Sequence, residues 1–565
     1  MCGIWAIFGH DVDSITYCDD SFCKIRHRGP DAWRLQFDNR IKEACIGFVR
    51  LTIVDSIWGM QPMILHEFPH LTLVCNGELY NFGRLGEEFG IKYETRCDVE
   101  SVTQLFARGG IKHAVSNLDG VFGFVLIDSK NRKVYAARDP YGVRPLFRFE
   151  AKGTGLLGFS SEGKGLIGLK RLVKDKLKNG FCDKWSLKQF PPGHFVEYDI
   201  LSDGKVKLVK EERYYTIGSR PIFRPFVSYT DLKNDVHANI RLLLTEAVRK
   251  RLMSERRIGC LLSGGLDSSL IAALLMKLAK EEGLEYKIQT FAVGMGTSPD
   301  IVAARQVAKH IGSDHHEVIF TEETVKDVLD NVIYHLETCD ITTIRASVGM
   351  YILSEYIKQK TDSTVIFSGE GSDELSQGYI YFRKAPTLEA GNEESLRLLN
   401  DIYLYDGLRA DRTTSAHSLE LRVPFLDLQF SSYYLSLPAE MRQPIDGVEK
   451  HLLRSAFSGI DLLPNNILWR HKEAFSDGVA SVKKSLFEVI QDIIDPFVTQ
   501  EQLDNASKLF PHITPTTKES YYYRMIFEKH FPGQAPNLTP YFWMPKWTNV
   551  KDPSARFLDD YKPEE

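Results

Sequence analysis

The chain reads as two domains of different class: an N-terminal α+β domain of layered antiparallel sheets, then a C-terminal α/β domain whose parallel sheet carries helices on both faces and runs into a mostly helical tail. Three observations predict this. The 565 residues exceed what one hydrophobic core holds together. In the first part of the chain short strand patterns follow one another too closely for crossover helices, as antiparallel pairing requires. Beyond residue 232 helical and strand periods alternate, the pattern of a doubly wound sheet.

Taken in order, the first domain (2–213) carries expected strands at 3–9, 45–54, 71–75, 121–128 and 133–138, the last two joined by a hairpin turn at 128–132, and a helix over 98–108. The proline- and aromatic-bearing stretch Ser219-Arg220-Pro221-Ile222-Phe223-Arg224-Pro225 marks 214–231 as a linker. In the second domain (232–565) Val236, Ile240, Leu243, Leu244, Ala247 and Val248 recur at helical spacing, and strands are expected at 258–262, 290–294, 317–320 and 364–367. Ligands of such sheets bind beyond the carboxyl ends of the strands. Three of those ends carry polar or glycine-rich sequence that could meet: 263–269, 294–300 and 368–374.

The stretch Leu261-Leu262-Ser263-Gly264-Gly265-Leu266-Asp267-Ser268-Ser269 joins a strand to a helix and reads as a phosphate cradle. Gly264 and Gly265 let backbone N–H groups approach an anion, and Ser263, Ser268 and Ser269 add hydroxyl donors where a helix N-terminus favours negative charge. The alternative is an ordinary strand-turn-helix corner with capping serines. Asp267 is the odd member. A carboxylate about 4 Å from a phosphate oxygen repels it by roughly 4 kcal/mol at an effective dielectric near 20, so it belongs there only with a divalent cation between, which implies Mg²⁺. No Walker A or dinucleotide fingerprint is present. The stretch resembles the Ser-Gly-Gly-x-Asp-Ser-Ser loop of ATP pyrophosphatases, which cleave ATP between its α- and β-phosphates and adenylate a substrate.

Composition is that of an ordinary globular protein. A formal charge of −5 from 70 basic and 75 acidic residues gives no basis for nucleic-acid or membrane attraction and points to small-molecule partners. The nine cysteines include no CxxC pair and no zinc spacing, and no segment approaches eighteen uninterrupted apolar residues. Reduced thiols and the lack of a leader pattern place the protein in the cytosol.

A second chemistry opens the chain. In Met1-Cys2-Gly3-Ile4, removal of Met1 leaves a thiol and a free α-amine on one residue. An amine with pKa of about 7.7–8.0 can act as base for that thiol. By position alone a second-residue cysteine is more often a small hydrophobe. With Arg26-His27-Arg28-Gly29-Pro30-Asp31, Arg50-Leu51-Thr52-Ile53-Val54-Asp55, Asn76-Gly77-Glu78-Leu79-Tyr80-Asn81 and Arg138-Asp139-Pro140-Tyr141-Gly142 following in order, the chain resembles the N-terminal-cysteine glutamine amidotransferases and their N-terminal-nucleophile hydrolase fold. The resemblance implies that Cys2 attacks the glutamine amide through a thioester, with Asn76 and the Gly77 amide holding the oxyanion. It also implies a glutamine site at Arg50, Leu51, Thr52, Ile53, Val54, Asn76, Gly77, Glu78 and Asp98, in which Arg50 grips the α-carboxylate and Glu78 and Asp98 the α-ammonium.

A glutaminase ahead of an ATP pyrophosphatase domain is the layout of the glutamine-dependent asparagine synthetases, and the resemblance covers nearly the whole chain. It extends to 340–347, 368–374, 409–412, 421–427 and 472–475. It implies an ATP site at Leu261, Ser263, Gly264, Gly265, Asp267, Ser268, Val293, Ser368 and Gly369, Mg²⁺ at Asp267 and Asp373, and Glu370 and Lys472 in the chemical steps. Taken alone, Leu261 and Val293 would be core. The implied reaction adenylates the aspartate β-carboxylate and lets ammonia displace AMP. Free ammonia is largely protonated at neutral pH, so a dry internal passage between the sites is expected. Closing a β-lactam, amidating another carboxylate and a non-catalytic scaffold are the competing functions, and a homodimer is left open.

Overall fold

The computed structural model describes residues 1–9, 20–41, 43–151, 154–171, 185–296, 298–471, 478–480, 484–554 and 558. Backbone contacts divide the chain into two units, one made of Met1–Thr216, Ile222–Arg224 and Pro536–Leu538, the other of Ile217–Pro221, Pro225–Ala535 and Thr539–Glu565.

In the first unit strand β1 (Gly3–Phe8) is buried along its whole length because it is central to a six-stranded sheet. It pairs antiparallel with β3 (Ala44–Arg50) and β8 (Leu156–Ser160), and β2 (Ala32–Phe37), β7 (Phe147–Ala151) and β9 (Trp185–Gln189) complete the order β2-β3-β1-β8-β7-β9. A second antiparallel sheet runs β11 (Val206–Arg213), β10 (His194–Ile200), β6 (Lys133–Arg138), β5 (Gly120–Asp128), β4 (Leu71–Leu79). The period of two sorts their side chains. Val74, Val125, Ile127, Val134 and Ala136 face Ile4, Ala6, Phe8, Ile46 and Phe48 of the first sheet. Leu73, Cys75, Phe124 and Leu126 point the other way, onto helices α1 (Phe82–Phe89) and α2 (Glu100–Asn117).

Three elements of the first unit differ from the sequence expectation by two residues or more, each for a local reason. The strand expected over 45–54 stops at Arg50, where Leu51 turns out to meet Cys2. The strand expected to end at Cys75 continues to Leu79, so Asn76, Gly77 and Glu78 lie on a ladder with β5. The helix expected over 98–108 begins at Glu100 and continues to Asn117 across a kink at Gly110, whose φ of 75° only glycine adopts freely.

The second unit holds a five-stranded parallel sheet in the order β14 (Asp314–Ile319), β13 (Gln289–Gly294), β12 (Ile258–Leu261), β15 (Val365–Phe367), β16 (Glu420–Arg422). Helices α3 (Val236–Arg249), α4 (Leu266–Glu281), α5 (Pro299–Ile311), α6 (Glu322–Leu336) and α7 (Ile341–Lys360) flank it. Strand β16 lies inside the tail expected to be mostly helical; three residues, two of them a buried ion pair between Arg422 and Glu420, give no strand period to read. Its pairing matters, because the Ser368 N–H donates to Arg422 O at 2.9 Å and so fixes the end of β15.

Behind that edge a buried carboxylate braces the fold. One oxygen of Asp427 caps the helix Leu428–Ser436 and the other binds Lys250 and Arg251, the latter at 2.8 Å. Burial alone would raise this carboxyl, but the two cations hold it down at about 2. A depressed carboxyl stabilises the fold above its unfolded pKa, and that contribution fades as pH falls from about 4 towards 2. Asp427→Asn should therefore cost roughly 3–5 kcal/mol at pH 7, as broken buried pairs do. Denaturant midpoints measured from pH 7 down to 3 should converge for parent and variant; a gap constant with pH would mean that the charge is not what stabilises.

Candidate active sites

At the start of the first unit the Cys2 thiol lies between the backbone of the next segment, its Sγ 3.4 Å from both Leu51 N and Leu51 O. Met1 is still attached and buried, its Sδ 2.8 Å from Arg144 Nη1 and 3.9 Å from Arg28 Nη2. Asn76 comes in on β4 with its side chain 1 % exposed, and its Nδ2 has no hydrogen-bond partner among the described residues. A buried amide donor left unpaired costs about 1–3 kcal/mol, so it marks a place where an acceptor arrives. At Gly77 a Cβ would lie 2.6 Å from Val121 O and 2.8 Å from Phe122 Cβ, which explains the glycine by the approach of β5.

The remaining expected glutamine residues lie at and just after the end of β3, on the end of β4 and just before α2. Buried Arg50 donates to the carbonyls of Asp55 and, at 3.3 Å, Ser56. Thr52 N donates to Asp31 Oδ2 at 2.8 Å, Ile53 is buried, and Val54 is half-buried. Glu78 and Asp98 are both buried, Asp98 accepting from Leu79 N at 2.6 Å. Cys75 lies beneath them; burial, then the charges of Asp98, Cys2 and Glu78, push its thiol well up, so it stays protonated and unreactive.

In the second unit one cavity collects the three predicted strand ends. Its wall includes Leu261, Ser263, Gly265, Asp267 and Ser268, then Val293 and Asp300, then Ser368, Gly369, Glu370 and Asp373. Gly264 is not part of that wall. It turns the chain at φ +75°, and a Cβ there would lie 2.5 Å from the Ala304 nitrogen, so its glycine serves the packing of α5. Ser263 and Ser268 knit the loop, Oγ to Oγ at 3.0 Å. Lys472 falls outside the described residues.

The sequence reading missed the cation that the carboxylates already have. Lys450 Nζ lies 2.5 Å from Asp267 Oδ2 and 2.6 Å from Asp373 Oδ1, and the side chain is 2 % exposed. The argument that Asp267 belongs beside phosphates only with a divalent ion is therefore too strong, since an ammonium group offsets the same charge. The carboxylates still suit Mg²⁺: two from different elements converge on one point facing the cavity, and Mg²⁺ takes one or two carboxylates plus substrate phosphates and water. Deeper in, Arg409 links Glu370 (2.9 Å) to Asp406 (2.6 Å), and the Tyr379 hydroxyl donates to Glu374 at 2.6 Å. Burial, then the charges of Asp406 and Asp373, push the Glu374 carboxyl well up, so it holds its proton beside those carboxylates.

Comparison with known proteins supplies the class. Residues 1–215 match the family model described as a glutamine amidotransferase domain, and 239–397 with 386–550 match the one described as asparagine synthase. A glutamine amidotransferase fused to an ATP-using synthetase is thus the class that the two folds and their sites define. The chain is 54 % identical over 567 aligned positions to the glutamine-hydrolyzing asparagine synthetase of Gallus gallus, 53 % to that of Bos taurus and 52 % to that of Homo sapiens, each time over 100 % of this chain and 99 % of the relative. It belongs to the glutamine-hydrolysing asparagine synthetase family.

Proposed function

We propose that the two sites divide one reaction: glutamine is hydrolysed at Cys2, and the ammonia released is joined to aspartate at the cavity of the second unit at the expense of ATP. Synthesis of asparagine from aspartate and glutamine is the activity of the chain, carried by full-length identity above one half to enzymes of that name. The residue roles are our reading. Once Met1 is removed, the Cys2 α-amine takes the thiol proton, the sulfur adds to the glutamine amide carbon, and the proton is returned to the departing ammonia. The unpaired Asn76 Nδ2 and the Gly77 amide receive the oxyanion, each donor worth roughly 3–4 kcal/mol of barrier.

At the second site the Ser263–Ser268 loop holds the triphosphate, Leu261 and Val293 flank the adenine, and Asp267 with Asp373 would hold Mg²⁺, which neutralises the leaving pyrophosphate. The Asp406 carboxylate suits the α-ammonium of aspartate. The aspartate β-carboxylate then attacks the α-phosphate to give an acyl-adenylate, and ammonia displaces AMP. The attacking nitrogen must lose protons, a task we assign to Glu370, with Lys472 neutralising the transition state. No helix among the described residues is long and apolar enough to cross a membrane; the cytosolic location is our reading of the cysteine usage in the sequence.

The test is the nucleotide product. Incubation with aspartate, glutamine and ATP should give AMP and pyrophosphate in step with asparagine; ADP and phosphate would overturn the adenylate route. Glu370→Ala should slow asparagine formation under single-turnover conditions by about 10²–10⁴-fold, while ¹⁸O passed from the aspartate β-carboxylate to AMP still reports adenylation. Parent-rate asparagine formation would remove Glu370 from the role of base.

A further inference from the structure

We infer that Glu162 is a positioning residue for glutamine hydrolysis: it fixes the arginine that holds the Cys2 carbonyl, and its charge sets how readily the Cys2 amine gives up its proton. The inference rests on the reading of Cys2 as nucleophile. Cys2 precedes β1, whose pairing with β3 begins at Gly3 opposite Val49, so the sheet ladder alone does not hold it. Arg28 does: its Nε donates to Cys2 O at 3.0 Å.

Arg28 is fully buried, and a guanidinium never sheds its charge, so it needs a buried counter-ion to stay there. Glu162 provides it. Arg28 Nη1 donates to Glu162 Oε1 at 2.7 Å, Lys164 Nζ donates to Oε2 at 2.5 Å, and His27 Nε2 lies 3.1 Å from Oε1. Glu162 and Lys164 are 0 % and 1 % exposed. The hub is tied to β1 one residue earlier, where Ser161 Oγ accepts from Ile4 N and Ser161 N donates to Ile4 O, both at 3.0 Å. A carboxylate that gathers Arg28 and Lys164 behind the first residue of a nucleophile strand acts on that residue through Arg28 and so sets where it stands.

Charge gives the arrangement a second consequence. The amine must be neutral to accept the thiol proton. Arg28 and Arg144 disfavour its protonated form, and Glu78 with Asp98, which act with Cys2 on the Cys75 thiol, favour it. Glu162 offsets Arg28 and Lys164 from behind. Losing the Glu162 charge should thus move the acid limb of kcat/KM to lower pH, and losing the Lys164 charge should move it to higher pH.

The experiment uses the full chain with removal of Met1 verified by mass. Glu162→Gln is expected to lower glutaminase kcat roughly 10- to 100-fold with KM for glutamine within about twofold, the scale of a misplaced nucleophile. Its acid limb, and that of Cys2 alkylation by iodoacetamide, should fall by about half a pH unit. Lys164→Met should raise both limbs, Glu162→Asp should restore the parent limb, and His27→Gln, which removes the neighbouring imidazole, should leave the limb in place. Ammonia-dependent synthesis should be unchanged throughout. A Glu162→Gln enzyme with parent kcat, or limbs that move the same way in Glu162→Gln and Lys164→Met, would overturn the proposal. Should Glu162→Gln not fold, Lys164→Met decides alone: an upward limb supports the proposal and any other result overturns it. Cys2→Ala serves as the control, because glutamine hydrolysis surviving there condemns the nucleophile and not the hub.

Discussion

Replacing Cys2 by alanine should abolish glutaminase activity and glutamine-dependent synthesis, by about 10⁴-fold or more, while leaving synthesis from ammonium salt intact. The thiol meets the backbone of Leu51 at 3.4 Å, and Cys2 precedes the first paired residue of β1, so truncation to alanine leaves the sheet ladder in place. The residues that line the ATP cavity all belong to the second unit and stay unaltered. Residual synthesis should improve as pH rises through the range in which ammonium gives up its proton. A permanent N-terminal extension should reproduce the effect, since an acylated nitrogen at residue 2 cannot act as base. Undiminished glutamine hydrolysis by Cys2→Ala would mean that another group is the nucleophile. Loss of ammonia-dependent synthesis in a folded variant would mean that the two chemistries are not separable.

What the sequence could say about these sites depended on whether chemistry was local. The strand, turn and helix of 261–269 were legible because strand, paired glycines, serines and helix occur within nine residues, and the structure adds that Gly264 faces α5 and not the cavity. Asn76 was legible as a motif, whereas its unpaired Nδ2 arises from the extension of β4 past Cys75. Six strands of the first unit escaped the sequence reading: β2 and β11, whose edge positions expose both faces so that Val206–Arg213 reads as a charged surface run, and β7, β8, β9 and β10 besides. Glu162 and Lys164 resemble solvated charges until burial pairs them with Arg28 from a distant segment. Lys450 was hidden for the same reason: it lies 183 residues from Asp267 in sequence and meets it only through the fold.

Lys450→Met should lower AMP formation about 10³-fold, close to the effect of Asp373→Asn but with the opposite response to Mg²⁺. Between Asp267 and Asp373 the ammonium group occupies ground that a divalent ion would share. One unit charge about 4 Å from a phosphate oxygen is worth roughly 4 kcal/mol at an effective dielectric near 20, which sets the scale of the loss. Removing Lys450 leaves two carboxylates short of a cation, so half-activation by Mg²⁺ should move to lower concentration; removing the Asp373 charge should move it higher. Gly378 offers a test that leaves every charge in place. A Cβ there would stand 2.0 Å from Lys450 Cε and 2.2 Å from Asp373 Oδ1, so Gly378→Ala must displace the pair and should approach the Lys450→Met defect. AMP release from aspartate, ammonium chloride and ATP, followed across a Mg²⁺ titration, reads all three variants. Turnover independent of Mg²⁺ in the parent would end the metal assignment, and a Lys450→Met enzyme at the parent rate would show that the lysine only fills space between two carboxylates.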